Sequence, residues 1–280
     1  MNSEFYMKQF ALDQQFRLDP ESVKRYQCAV KQLKEYTGKG IDAINKQDIR
    51  QWLNHLSEEG YQPWTIWSKV TGLKTFFKYC LEEGFLSINP AEKVPFPIIG
   101  EKQPSYLTKN ELTQLRQLVE GRLPEERAII ELLHSTGMRI SELLAMKKED
   151  IKWSERMIQI PKGKQKRGRI VLFTRECEIH LKAYMENRTY ETTFVFESRK
   201  LKDRTMHPDA VGNWFRAYSK ELGFRVTPHT LRHTFTAHLA QKGMPLDHIQ
   251  ALLGHEDPKQ TRFYARLYNQ ARKEMYDEFM

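Results

Sequence analysis

Residues 227–235 read TPHTLRHTF and combine three cation-forming side chains with an apolar face. At about 100° per residue, a helix places His229, Arg232 and His233 on one side and Leu231 and Phe235 on another. Taken alone, the stretch favours an ordinary amphipathic helix with a solvated polar face. The functional alternative, a cluster of phosphate-binding side chains, depends on what the rest of the chain supplies.

The start of this predicted helix is marked by Thr227 and Pro228. A threonine can cap the first turn with its side-chain oxygen, and a proline fits there because no amide hydrogen is needed. His229 and Arg232 would then lie near the helix N-terminus, where partial positive charge favours an anion. The stretch is therefore compatible with a phosphate bound at a helix start.

Length and charge narrow the class of protein. The chain has 280 residues, which suggests two domains, and 40% of them are hydrophobic, as in globular proteins. A formal net charge of +9 and a pI of about 9.3 fit a polyanionic partner, most simply nucleic acid. No run approaches the roughly 20 apolar residues of a membrane span, and the N-terminus MNSEFYMKQF lacks the pattern of a signal peptide. These features predict a cytoplasmic protein with no membrane partner.

The three cysteines, Cys28, Cys80 and Cys177, are far apart and odd in number. They form neither a metal-ligand spacing nor a disulfide framework. We therefore expect buried, reduced thiols in a cytoplasmic protein and no metal site built on cysteine.

A proline-rich segment divides the chain. Residues 89–105, NPAEKVPFPIIGEKQPS, hold four prolines and no helical period. Before it, helical patterns begin at Asp19, within DIRQWLNHLSEEG, and at Pro63, and they end at glycines. The sequence predicts a small helical domain over 1–98, a linker over 99–107 and a second domain over 108–280.

The hydrophobic periodicity of the second domain changes along the chain from helical to strand-like and back. Thr108 and Glu111 form a capping box before a new helix, and an apolar helix ends near Gly137. ERMIQIPKGKQKRGRIVLF then alternates around a basic turn, which predicts a β-hairpin, and TTFVFES predicts a third strand. From Pro208 onward the pattern is helical again. The predicted fold class is mainly α, with a small antiparallel sheet in a mixed α/β second domain.

Five places in the second domain carry side chains suited to phosphate chemistry. Each has an ordinary alternative: a surface arginine, a solvated turn lysine, a local histidine cap or a packed tyrosine. Each residue alone is weak evidence, but all of them in this order, each within its own local sequence, indicate phosphate chemistry. With their segments, they are Arg139 (STGMRISEL), Lys162 (PKGKQKRGR), His229 and Arg232 (HTLRH), His255 (LLGHED) and Tyr264 (QTRFYARL).

These segments resemble the tyrosine recombinases of the phage-integrase and Xer type. TGMRISELLAMK is similar to the first arginine box, and the stretch from HTLRHTF through LLGHED to RFYARL is similar to the second. His255 and Tyr264 are nine positions apart, as in the Xer type. TIWSKVTGLKTFFKYCLEEGFLSINPAEKV is similar to the end of the core-binding domain, so the resemblance covers essentially the whole chain.

The resemblance implies a role for each of these side chains. Arg139 and Arg232 would clamp the non-bridging oxygens of the scissile phosphate, since arginine binds phosphate bidentately and stays charged. Tyr264 would attack phosphorus and form a 3′-phosphotyrosine intermediate on the way to a Holliday junction. The other implied roles are proton acceptance by His229, protonation of the leaving group by Lys162, a hydrogen bond to phosphate from His255 and support from Glu142.

The basic turn departs from the family pattern. KGKQKRGR is about two residues longer than the usual Xer-like turn, so Lys164 and Lys166 remain alternatives to Lys162 as the acid. We expect the turn to bind DNA through Lys164, Lys166, Arg167 and Arg169.

The implied partner is double-stranded DNA with inverted-repeat sites, held in a C-shaped clamp. Arginine clamping needs no metal and covalent catalysis needs no ATP, so we expect no cofactor. The resemblance further implies a monomer in solution and a homo-tetramer on DNA, with a second recombinase or accessory proteins as further candidates. The C-terminal helix, YNQARKEMYDEFM, would dock on a neighbouring subunit, with packing on its own domain as the alternative.

Rival hypotheses share parts of this pattern. A catalytically silent DNA-binding regulator would be expected to lack one of the key residues. A metal-dependent nuclease or hydrolase could use His229, His233 and His255, but no carboxylate lies between the first two as in H-E-x-x-H. A type IB topoisomerase shares the chemistry. The sequence leaves open the target site and the choice between integration or excision and resolution of DNA molecules.

Overall fold

The computed structural model describes residues 3–100, 104–161, 168–187, 192–198, 204–254 and 263–279. The chain forms two compact units, Met1–Lys102 and Gln103–Met280. The division falls within the segment 99–107 that the sequence assigns to a linker. Each unit has its own hydrophobic core.

The first unit is built from four helices, α1 (Ser3–Asp13), α2 (Pro20–Thr37), α3 (Lys46–Glu58) and α4 (Pro63–Glu82). The Asp19 side chain accepts the Ser22 N–H at 2.9 Å and so caps α2, which ends at Gly38 with φ of 66°. Helix α2 packs along α4. The fully buried side chains at the centre of this unit include Phe10, Leu33, Trp52 and Phe76.

The cysteine prediction is wrong for one of the three thiols. Cys80 and Cys177 are buried, and burial raises the pKa of each thiol to about 12. Cys28 is exposed, because it lies four residues after the exposed Lys24 on the solvent side of α2. All three cysteines are free thiols.

The second unit begins with helices and then forms its sheet. Its helices are α5 (Lys109–Glu120), α6 (Pro124–Thr136), α7 (Ile140–Leu144), α8 (Arg175–Glu186), α9 (Pro208–Leu222), α10 (Pro228–Gln241), α11 (Leu246–Leu253) and α12 (Ala265–Phe279). Its strands are β1 (Ile151–Lys152), β2 (Met157–Ile160) and β3 (Arg169–Leu172), in the antiparallel order β1-β2-β3. Ile158 of β2 pairs with Ile151 of β1 and Val171 of β3. The mainly α fold with a small antiparallel sheet is confirmed.

The third strand is not the one predicted. Residues 192–198 make only single bridges, Lys147 with Phe194 and Glu197 with Thr205. The Val195 N–H donates to the Met146 carbonyl at 2.9 Å, and the Val195 carbonyl accepts the Tyr184 hydroxyl at 3.1 Å. The backbone groups of Val195 are thus taken by a loop and a side chain, and the third strand of the described sheet is β1.

Helix α10 is buried on its polar side as well as its apolar side. Arg232 is 6% exposed and Thr236 is 2% exposed, so the solvated polar face favoured by the local sequence is not observed. The threonine hydroxyls are satisfied within the helix: Thr234 donates to the Thr230 carbonyl at 2.8 Å and Thr236 to the Arg232 carbonyl at 2.9 Å. The helix can therefore cross the unit's interior with polar side chains.

The start of the second unit is tied to α10. The Leu107 N–H donates to the Thr234 hydroxyl at 2.9 Å, and His238 Nε2 donates to the Leu107 carbonyl at 3.0 Å. Tyr106 packs against the hydrophobic cluster around α10. Residues 106 and 107, which the sequence assigns to the linker, therefore pack as part of the second unit.

The C-terminal helix α12 packs on α10 of its own chain. Ala271 is buried, and Leu267 and Tyr268 pack against the cluster around α10. This is the packing within one domain that the sequence leaves as the alternative. Among the described residues, no helix combines the length and apolar character needed to cross a membrane.

Gly137 lies where α6, α10 and α11 pack closely against one another. It ends α6 in the left-handed region, with φ of 61°. A Cβ at this position would lie 2.4 Å from Phe235 Cδ1 and 2.9 Å from Leu253 Cδ2. Both conformation and space therefore require glycine here.

We expect Gly137→Ala to destabilise the second unit by about 2–4 kcal/mol, since left-handed strain and overpacking act together. Gly223→Ala is the matched control, because Gly223 has φ of 74° and nothing within 4 Å of its added Cβ. The control should cost about 1 kcal/mol from strain alone. Urea unfolding of both variants measures the difference, and equal losses would contradict the packing argument.

Candidate active site

The candidate site is assembled around the first turns of α10. This helix supplies His229, Arg232 and His233. The residue before α7 supplies Arg139, and the residue before α12 supplies Tyr264. Three segments that are distant in sequence thus reach one place in the second unit.

Arg232 is the buried centre of the site. Its Nη1 donates to the Gly137 carbonyl at 2.5 Å and its Nη2 to the Leu253 carbonyl at 2.9 Å. A guanidinium has five N–H donors, so three stay without a partner among the described residues. Burial, followed by the charge of Arg139, lowers the pKa of Arg232 to about 9. Two backbone carbonyls hold the side chain, and no carboxylate of the described residues forms an ion pair with it, although the charge of Glu142 partly offsets the lowering of its pKa.

Glu142 organises the arginines beside Arg232. Its carboxylate accepts the Arg139 backbone N–H at 2.7 Å and Arg139 Nη1 at 3.0 Å. It also accepts Arg169 Nη1 at 2.9 Å and Nη2 at 2.7 Å, a bidentate pair. Burial opposes ionisation, but the hydrogen bonds from Arg169 and the Arg139 N–H outweigh it and lower the pKa of Glu142 to about 2.

Arg169 was predicted to bind DNA, and its geometry favours a different role. Its side chain is 11% exposed and is occupied by Glu142 and by the Leu252 carbonyl, which accepts Nε at 2.9 Å. The residue thus links β3 to α7 and to the end of α11. These contacts hold Arg169 against the groups beside Arg232, and its contact with DNA stays a prediction.

Tyr264 is buried, and its hydroxyl is hydrogen-bonded to a histidine to which the family resemblance gives no role. The side chain is 2% exposed, and its hydroxyl lies 2.6 Å from His233 Nδ1. Burial raises the pKa of the Tyr264 phenol, while Arg232 opposes this effect. Burial, together with His229 and Arg232, lowers the pKa of His233 to about 4. At neutral pH both groups are therefore uncharged, and a phenol is hydrogen-bonded to a neutral imidazole.

His229 lies close to both arginines but makes no hydrogen bond within the described part of the chain. Burial lowers its pKa, and Arg232 and Arg139 lower it further. The site thus holds several cationic or cation-forming groups with Glu142 as the carboxylate among them. This excess of positive potential in a partly buried site suits a bound anion.

Several predicted site residues lie outside the described residues. They are Lys162, Lys164, Lys166, Arg167 and His255. Their roles stay predictions. Within the described ranges, no group of three or more histidine, cysteine, aspartate or glutamate side chains is arranged to hold a metal ion.

Two family models match the chain. The phage integrase family matches residues 105–271, and the phage integrase SAM-like domain matches residues 5–95. The chain belongs to the phage integrase family. The first match spans the whole candidate site, from Arg139 to Tyr264, so the recombinase resemblance seen in the sequence is confirmed.

Curated relatives agree with this assignment. The recombinase is 30% identical over 262 residues to a tyrosine recombinase of Thermosipho africanus, and the match covers 91% of each chain. It is 32% identical over 222 residues to the tyrosine recombinase XerA of Pyrococcus furiosus, covering 79% of this chain and 76% of the relative.

Solved structures share the fold. A XerA recombinase crystal structure is 27% identical, with a TM-score of 0.56 and 98% of each chain covered. A lambda integrase dimer bound to a core site is 19% identical, with a TM-score of 0.75 and 93% of this chain and 97% of that chain covered. At that identity the second likeness concerns the fold alone.

Two features of the site were missed by sequence reasoning. His233 was placed on the helix's polar side but given no contact with Tyr264, although HTLRH puts it one residue after Arg232. The sequence places Arg169 among the DNA-binding residues of the basic turn and does not predict its contact with Glu142, although its place in a predicted strand was a signal that it points into the unit. In both cases the partner lies far away in sequence.

Glu142→Gln should destabilise the second unit by about 2–3 kcal/mol at pH 7, since a carboxyl with a depressed folded pKa stabilises the fold when ionised. The pKa falls from 4.5 to about 2, so this contribution is complete above pH 4.5 and is lost as pH falls toward 2. The difference in free energy of unfolding between wild type and variant should therefore shrink at pH 3.

Urea unfolding at pH 7, 5 and 3 measures this dependence. Glu149→Gln is the control, because Glu149 is 72% exposed and pairs only with Lys147 on the surface. That variant should unfold like the wild type at each pH. A Glu142→Gln loss that does not vary with pH would show that packing, and not charge, is responsible.

Proposed function

We propose that this tyrosine recombinase cuts and rejoins double-stranded DNA with Tyr264 as nucleophile and the Arg139–Arg232 pair as phosphate clamp. The observation that carries the proposal is the convergence of a buried tyrosine hydroxyl and a buried arginine, held by two backbone carbonyls, on the first turns of α10. Among the described residues no carboxylate pairs with this arginine, and a phosphodiester would supply such an anion. The geometry fits a transesterification that occurs at one phosphate.

The chemical step exchanges one phosphodiester for another. The Tyr264 oxygen forms a bond to phosphorus, the bond from phosphorus to the 5′ oxygen breaks, and the phenolic proton leaves to a base. The products are a 3′-phosphotyrosine and a 5′-hydroxyl, which takes its proton from a lysine of the turn, Lys162 or its neighbours Lys164 and Lys166. Attack by a 5′-hydroxyl reverses the step and joins strands, and two such exchanges pass through a Holliday junction.

The arginines act on the transition state more than on the ground state. The phosphoryl group gains negative charge as it becomes pentacoordinate, so preorganised guanidinium groups stabilise it without needing to move. Arg232 is preorganised by two carbonyls, and Arg139 by Glu142, which Arg169 holds in turn. The chain's own cations can thus supply the stabilisation that a metal ion supplies elsewhere, which supports a reaction without metal or ATP.

Double-stranded DNA with inverted-repeat sites is the proposed partner of both units. In the first unit, Lys24, Lys31 and Arg50 are exposed and free to meet phosphates. Lys69 and Lys74 are engaged inside that unit, with Gln32 and the Glu92 carbonyl. We propose a cytoplasmic protein that is monomeric in solution and tetrameric on DNA, serving integration, excision or resolution.

Tyr264→Phe should abolish covalent attachment to DNA while leaving duplex affinity within about threefold, because only the nucleophilic oxygen is removed. The assay uses a nicked duplex selected from a randomised library by covalent capture with the wild-type chain. A denaturing gel then measures the adduct. Tyr268→Phe is the matched control and should form adduct normally; loss of adduct in that variant instead would reassign the nucleophile.

Arg139→Lys should slow cleavage of the same duplex by about a hundredfold or more, since a lysine keeps the charge but loses the planar fork. Duplex affinity should change little, because many cations share the phosphate contacts. Arg175→Lys, at the exposed start of α8, serves as the control and should cleave at the wild-type rate. Activity should persist in EDTA, and a strict requirement for a divalent ion would argue for a metal-dependent hydrolase.

A further inference from the structure

We propose that His233, in place of His229, takes the proton from Tyr264, and that this pair stays locked as phenol and neutral imidazole until a DNA phosphate occupies the arginines. The inference rests on the proposed function of Tyr264 and adds a further catalytic residue to it. It changes the assignment that the family resemblance implies, in which His229 is the acceptor.

The geometry separates the two histidines. His233 Nδ1 lies 2.6 Å from the Tyr264 hydroxyl, within the reach needed for direct proton transfer. His229 makes no hydrogen bond to Tyr264 or to any other described residue. Both lie on α10, one turn apart at i and i+4, so the same helix face presents one histidine to the tyrosine and one to the arginines.

The proposed role selects one tautomer of His233. To accept the phenolic proton, Nδ1 must be the unprotonated nitrogen, so the ring hydrogen lies on Nε2 and the Tyr264 hydroxyl donates to Nδ1. The lone pair of His233 therefore already points at the proton that leaves when Tyr264 attacks phosphorus.

Burial, more than charge, keeps this transfer off in the free protein. Burial lowers the pKa of the imidazole to about 4 and raises that of the phenol, so an equilibrium transfer of the proton is strongly disfavoured. The groups that face the pair are His229 and Arg232 on the side of the imidazole, and Arg232 and Tyr106 on the side of the phenol. Arg232 is common to both and repels an imidazolium at His233.

A bound phosphodiester weakens the part of this bias that comes from the charge of Arg232. Its negative charge neutralises Arg232 and attracts a positive charge on His233, so the imidazole becomes a stronger base when substrate is in place. The proton moves from the phenolic oxygen to Nδ1 as the oxygen–phosphorus bond forms, so no free phenolate accumulates. Rejoining returns the same proton from Nδ1 to the tyrosine. The nucleophile is thus activated by the substrate that it attacks.

His233→Asn isolates the proton-accepting role. Asparagine places an amide near the Nδ1 position, which keeps a hydrogen-bond partner for Tyr264 but provides no base. On the selected nicked duplex, we expect cleavage to slow by about a hundredfold or more, with duplex affinity within about threefold and an unchanged melting temperature. His229→Asn is the matched control and should slow cleavage less.

His233→Gln, whose amide reaches the Nε2 position, loses both the hydrogen bond and the base and should be at least as slow. Cleavage by either folded variant within about threefold of the wild-type rate would overturn the inference. Covalent adduct in Tyr264→Phe would overturn the proposed function, and this inference with it. If Tyr264→Phe is inactive while His233→Asn is normal, only the inference fails.

A ring-fluorinated tyrosine at position 264 tests the proton directly, because a more acidic phenol depends less on its base. It should restore cleavage in His233→Asn by at least tenfold and have little effect in His229→Asn. Rescue of His229→Asn alone, or of neither variant, would overturn the assignment. A histidine that merely packs against Tyr264 would give no such rescue.

The protonation state of His233 can be followed by nitrogen-15 NMR of the histidine ring. In the Tyr264→Phe variant, which should bind the duplex without cutting it, the pKa of His233 should rise when the duplex is added. The free variant supplies the baseline, and a variant with Arg139→Lys added should show a smaller rise. A pKa that does not change on duplex binding would overturn the substrate-dependent part of the proposal.

Discussion

The second unit depends on the burial of one charged group, the Arg232 guanidinium. Its two bonds to the Gly137 and Leu253 carbonyls join the end of α6, the start of α10 and the end of α11. These carbonyls lie at helix C-termini, where backbone acceptors lack intrahelical partners and partial negative charge collects. A fold that satisfies its helix ends with an arginine also holds that arginine rigidly, so structural and catalytic demands fall on the same side chain.

This arrangement carries an electrostatic cost that the substrate can relieve. The buried guanidinium of Arg232 has a lowered pKa because its charged form is shielded from solvent and lies near Arg139, while Glu142 opposes this effect. Glu142 is hydrogen-bonded to Arg139 and Arg169, and among the described residues no carboxylate forms an ion pair with Arg232. A phosphate is the natural complement, and its affinity for the site includes the relief of this repulsion. Binding and transition-state stabilisation therefore share one physical origin.

The nucleophile is subject to the same field. Tyr264 is buried, bonded to His233 and close to Arg232, so the charge that attracts DNA also keeps the histidine from accepting a proton beforehand. In this scheme the bound phosphate removes the inhibition that the empty site imposes. A tyrosine that remained ionised without DNA would be open to side reactions, and the neutral pair avoids that state.

The sequence by itself determined the fold class, the helix ends and most of the candidate site. Local signals suffice for these: the cap of α10 by Thr227, the glycine that ends α6, and the spacing of Arg139, His229, Arg232 and Tyr264 within their boxes. Only the tertiary structure decided which side chains meet across the chain. The contact of His233 with Tyr264 joins residues 31 positions apart, and that of Arg169 with Glu142 joins residues 27 apart. Helical periodicity places a residue on a face but does not state what that face packs against, so partners, burial and protonation follow from packing alone.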